Sequence, residues 1–76
     1  MTLDQLDIGV TARITGIDGD GPLIQRLMAL GLLEGSDVAV KRRAIGGDPI
    51  EIEVMGYALS LRRAEAGHVA VEVVDG

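Results

Sequence analysis

The chain has 76 residues, enough for one small domain, and its twelve acidic and seven basic side chains leave a net charge of −5. It has no cysteine, tryptophan or phenylalanine, and a single histidine and a single tyrosine. These counts exclude disulfides and thiol chemistry, demand a core of aliphatic side chains, and disfavour a general nucleic-acid binder, whose affinity rests on neutralising phosphate.

In chain order, Thr2 is placed to cap a short turn over Leu3 to Leu6, with Leu3 and Leu6 inward. Val10 to Ile17 alternates, with Val10, Ala12 and Ile14 on one face, and predicts a half-buried strand. Asp18 to Gly21 is a loop by composition. Pro22 to about Leu30 predicts a helix, with Pro22 suited to its first position and Gly31 to the left-handed residue just past its end. Leu32 then falls where it can pack back on Leu27. Asp37 to Arg43, Ile50 to Met55, Tyr57 to Arg62 and His68 to Val74 predict four further strands. Their inward residues are Val38 and Val40, then Ile50, Ile52 and Val54, then Leu59 and Leu61, and last Val69, Val71 and Val73. Ile45 to Pro49 is a hairpin loop, Gly56 a tight reversal, and Arg63 to Gly67 one helical turn.

Five short strands joined by tight turns, with one α-helix inserted after the first, predict a mainly β fold: a small five-stranded antiparallel barrel of the SH3-like class, filling the chain as one domain over 1–76. No apolar run approaches the ~18–20 residues of a bilayer span. The acidic start, Met1 to Asp7, lacks the apolar stretch of a secretion signal. A cytoplasmic location is expected.

The ordered set Leu3..Leu6..Gly9, then Arg26-Leu27-Met28-Ala29-Leu30-Gly31-Leu32 and Glu34-Gly35, then Arg43-Ala44 with Gly47-Asp48-Pro49-Ile50, then Leu59..Leu61-Arg62..Glu65-Ala66, resembles the FeoA family over nearly the whole chain. The resemblance implies an SH3-like barrel working by protein–protein contact in bacterial ferrous iron uptake. Its implied partner is FeoB, a membrane ferrous transporter with a cytosolic G-protein domain. Glu34 and Ile45 stand where the family often has proline, both in turns. The same domain type resembles the C-terminal module of iron-dependent repressors, although the helix-turn-helix that precedes that module is not found here.

No phosphate loop, nucleophile motif or Ser/His/Asp set occurs, so no catalytic residue, cofactor or metal ligand is assigned and the chain is read as a non-enzyme. His68 alone cannot supply the several His and carboxylate ligands that ferrous iron takes. The pairs Asp18/Asp20 and Glu51/Glu53 are read as solvated acids. Lys41-Arg42-Arg43 and Arg62-Arg63 end two strands, either as a solvated rim or as a basic interaction patch. The helix carries more apolar residues than one narrow stripe requires. Leu23, Leu27 and Leu30 are expected to face inward, and Ile24 and Met28 to form an exposed margin that meets a partner. The candidate partner-binding residues are thus Ile24, Met28, Arg26, Leu33, Lys41 and Arg43. A repressor-like regulatory module, a homo-oligomer built through the same patch, and a small nucleic-acid-binding barrel remain as alternatives.

Overall fold

A computed structural model of the chain describes residues 1–74. A 3-10 turn over Leu3–Gln5 comes first, followed by β1 (Thr11–Ile17), α1 (Pro22–Ala29), β2 (Asp37–Arg43), β3 (Ile50–Val54), β4 (Tyr57–Leu61), α2 (Arg63–Ala66) and β5 (Val69–Val73). The strands form one antiparallel sheet in the order β4-β3-β2-β1-β5. The five predicted strands and the inserted helix are all present, with ends within about a residue of expectation.

Register follows the alternation of apolar residues, because sliding a strand by one residue would turn its whole apolar set to water. Val38 faces Val54 and Val40 faces Ile52 across β2 and β3, and Ile14 faces Val71 across β1 and β5. Register shifts at Ile14/Gly16 and Val40/Arg42 interrupt the two ladders. Irregularities of this kind increase local twist and help a small sheet curl over its own core. That core is aliphatic throughout, with Leu3, Leu6, Ile14, Leu27, Leu32, Ile50, Ile52 and Leu61 among its fully buried side chains.

The N-terminal turn is part of this core. The Thr2 N–H donates to Gln5 Oε1 (3.0 Å), closing the turn, and Leu3 and Leu6 point beneath it. Its backbone also covers a flank of the sheet. The Val71 N–H donates to the Met1 carbonyl (2.9 Å) and the Gly9 N–H to the Val40 carbonyl (3.0 Å).

Helix α1 is sealed at its C-terminus as the sequence predicts. Gly31 has φ +99°, its N–H donates to the Met28 carbonyl (3.0 Å), and the Leu32 N–H reaches back to the Leu27 carbonyl (3.2 Å). These two bonds constitute a Schellman cap, and they drive Leu32 into the core beside Leu27. Across from the cap, Met55 and Gly56 form a two-residue hairpin turn with φ +51° and +82°, the twist such turns need.

Two expected faces differ. Ile24 was expected at an exposed margin and is 5% exposed, whereas Leu23 and Leu30 are only partly buried. At about 100° per residue, Ile24, Leu27 and Gly31 lie on one line, so the inward face centres between Ile24 and Leu27, and Leu23 and Leu30 fall to its flank. Val73 was expected inward and is exposed, because it lies at the far end of outermost β5.

Leu27→Ala should lower stability by about 2–5 kcal/mol, measured by denaturant unfolding. Gly31→Ala should lower it by at least ~1–2 kcal/mol. A Cβ there would carry the strained positive φ and would sit 2.9 Å from Met55 Sδ.

Candidate functional site

Around the capped end of α1 the structure exposes apolar side chains that the core does not use. Met28 is 43% exposed and Leu33 42%. Facing Gly31 from the β3–β4 turn are Met55, 66% exposed, and Tyr57, 43% exposed. The Tyr57 hydroxyl donates to the Leu30 carbonyl, an acceptor that helix geometry leaves without an intrahelical partner. The hairpin is thereby pinned to the helix end. A Cβ at Gly31 would lie 3.2 Å from that hydroxyl, so the absent side chain permits the approach. Methionine suits an adaptable contact surface, and tyrosine presents a large rigid ring with a polar tip.

The six predicted partner residues separate into two sets. Met28, Leu33 and Arg26 surround the outer side of α1. Arg26 is exposed and its guanidinium pairs with Glu65 of α2, tying the helix across to the neighbouring turn. Ile24 leaves the set, because its side chain is buried beneath the β1–α1 loop against Gly19. Lys41 lies on β2, with its ammonium 3.8 Å from Glu53 Oε1. Arg43 is turned inward: its Nη2 donates to the carbonyls of Asp4 (3.0 Å) and Leu6 (2.8 Å), holding the N-terminal turn on β2. Arg42 between them pairs with Glu51. The Lys41-Arg42-Arg43 run is therefore divided among four acceptors and presents no concentrated basic patch. Met55 and Tyr57 were missed by sequence reasoning. The only available signal was Tyr57 as the one aromatic residue of the chain.

Among the described residues, no group of three or more His, Asp or Glu side chains is placed to hold a metal ion. His68 Nδ1 lies 3.0 Å from the Asp18 carbonyl, and the Asp18 N–H donates to the His68 carbonyl (2.7 Å). The ring thus ties the end of β1 to the start of β5. A hollow lined by Ile24, Met28, Leu32 and Glu34 opens beside α1. Together these features leave an exposed apolar surface around the end of α1.

Because Arg43 satisfies two carbonyls from partly buried surroundings, Arg43→Ala should cost ~1.5–3 kcal/mol. It should also raise amide exchange in residues 1–9 ahead of the sheet, as read by NMR.

Residues 1–73 match the model of the FeoA domain. A relative from Porphyromonas gingivalis, named as a fusion of Fe(2+) transport protein A and Fe(2+) transporter FeoB, is 32% identical over 75 residues. That alignment takes in 99% of this chain and 9% of that protein, so the chain spans a small part of the relative's length. The solution structure of iron(II) transport protein A from Clostridium thermocellum superposes with a TM-score of 0.94 at 35% identity, covering 97% of this chain and 46% of that one. FeoA of Stenotrophomonas maltophilia, solved with zinc and described as a prokaryotic SH3 domain protein, gives 0.86 at 28% identity over 95% and 89% of the two chains. A manganese-dependent transcriptional repressor, 18% identical, shares the fold alone, with a TM-score of 0.87 over 97% of this chain and 36% of that one. The ordered motifs, the five-stranded sheet with its inserted helix, and these likenesses agree: the chain belongs to the FeoA domain family of ferrous iron transport and has its SH3-like fold.

Proposed function

We propose that the chain is a non-catalytic accessory domain, working in the cytoplasm, that docks on the cytosolic part of a FeoB-type ferrous transporter. The observation that carries this is the Porphyromonas gingivalis relative, in which a homologous domain and the transporter share one polypeptide. Covalent fusion holds two modules at high effective concentration, an arrangement suited to modules that act on each other. The surface supports the same reading, offering exposed Met28, Leu33, Met55 and Tyr57 around the helix end. With a net charge of −5 and a single aromatic ring, nucleic acid is a poorer partner.

Docking changes the transporter only if the domain binds one of its conformational or nucleotide states more tightly than another. The contact is assigned to Met28 and Leu33 with Met55 and Tyr57 beside them, and Arg26 at the margin.

Met28→Asp and Leu33→Asp, both on the surface, should keep the fold and weaken capture of the transporter's cytosolic domain by about tenfold or more, the scale of losing ~1.4 kcal/mol or more at a contact centre. Ile24→Asp should instead unfold the domain, since it buries a charge without a partner. Titration calorimetry with the nucleotide-free, GDP-bound and GTP-analogue-bound partner checks both, and wild-type protein that binds none of the three states removes the proposal.

A further inference from the structure

The sheet has two outermost strands, β4 and β5, and they are treated differently. The outer side of β5 receives the N-terminal segment: Thr2 bridges Ala70, and the Val71 N–H bonds the Met1 carbonyl at 2.9 Å. β5 also carries a charge at Glu72. On β4, Val54 faces Tyr57, Ile52 faces Leu59 and Ile50 faces Leu61. In a hairpin closed by a two-residue turn, the pair flanking the turn exchanges both hydrogen bonds, and so does every second pair beyond it. Tyr57, Leu59 and Leu61 therefore aim their N–H and C=O groups at β3. Those of Ala58 and Ser60 point away from the sheet, and no other backbone group bonds them among the described residues.

This edge has none of the usual defences. Tyr57-Ala58-Leu59-Ser60-Leu61 contains no charge and no proline, and Ala58 and Ser60 are small and exposed. Sheet proteins normally blunt an open edge with lysine, proline, a bulge or a covering segment, and this chain does so on β5 but not on β4.

We infer that β4 is a docking edge which accepts an extended segment of the transporter's cytosolic part, added antiparallel as a sixth strand through the backbone groups of Ala58 and Ser60. This inference rests on the docking reading above and specifies how that contact is made. Charge complementarity sets the occupant's character. In a chain of net charge −5, β4 runs into Arg62 and Arg63, both exposed. Arg62 lies 3.4 Å from Asp48, and Arg63 makes no ion pair among the described residues. An antiparallel segment brings its N-terminal residues to these arginines and its C-terminal residues to Tyr57 and Met55, so it should be acidic first and apolar last. The apolar end is continuous with the surface around α1. Main-chain pairing supplies affinity in this mode of recognition, and the alternating side chains supply specificity. A second copy fits less well, because two copies of net charge −5 repel.

Proline at position 60 removes the outward donor and leaves the β3–β4 ladder without a lost bond, which makes the edge testable on the intact chain. With the isotope-labelled chain and the transporter's cytosolic domain, the Ala58 and Ser60 amides should become protected from exchange on binding. Ser60→Pro should weaken binding about tenfold, the effect of one to two lost hydrogen bonds. Ala58→Lys, which keeps the backbone and adds the charge of a guarded edge, should do the same, with an unchanged amide spectrum elsewhere. If wild type binds and both folded variants bind equally well, the edge assignment is overturned and the docking reading stands. If wild type does not bind, both fall together. Concentration-dependent self-association of wild type that either variant abolishes makes a second copy the occupant and overturns the assignment to the transporter.

Discussion

The left-handed turn at Gly31 holds the exposed apolar surface together. It lets the chain leave α1 without a side chain in the way, and the Leu32 N–H can then close on the Leu27 carbonyl. With Leu27 and Leu32 committed to the core, the helix is fixed in rotation as well as in place. The space left over Gly31 admits Tyr57 and Met55 from the hairpin. The same residue therefore ends a helix, orients its buried face and permits the approach of the second exposed element. A side chain at this point would strain the positive φ and push against Met55 and Tyr57, so it would disturb all three.

Polar ties complete the arrangement, and they differ in what they hold. The Tyr57 hydroxyl joins helix end to hairpin, and Arg26 with Glu65 joins helix to α2. Arg43 joins the N-terminal turn to β2. Exposed ion pairs such as Lys41–Glu53 contribute little to stability, typically under ~1 kcal/mol. Their larger effect here is on the surface potential, because Glu53 and Glu51 offset Lys41 and Arg42, two of a run of three basic residues that would otherwise attract anionic partners. What this leaves exposed is an apolar surface around the end of α1, with Arg62 and Arg63 exposed at the end of β4.

The strands, their inward residues and both ends of α1 were legible in the sequence because each depends on local pattern: period-two alternation, a proline at the start, a glycine at the stop. The rotation of α1 was not. Five apolar residues within eight positions leave several helical faces of similar hydrophobicity, and only the rest of the core decides that Ile24 goes under and Leu23 to the side. Arg43 was misplaced for a related reason. A run of charges shows that a strand is ending but not which member meets buried carbonyls presented from 37 to 39 residues away. Met55 and Tyr57 join the candidate surface through a tertiary approach that no local spacing encodes.

The unequal treatment of the two outer strands limits how many chains the sheet can join. A sheet with one open edge has a valence of one: it can accept a single strand, and that strand closes it. A sheet open on both sides has a valence of two and can propagate into filaments, as head-to-tail contacts that do not close on themselves do. In this chain the difference lies with the N-terminal turn, which covers β5 and is held in place by Arg43 at the end of β2. One partly buried guanidinium, by holding that turn in place, thus helps keep the valence of the sheet at one.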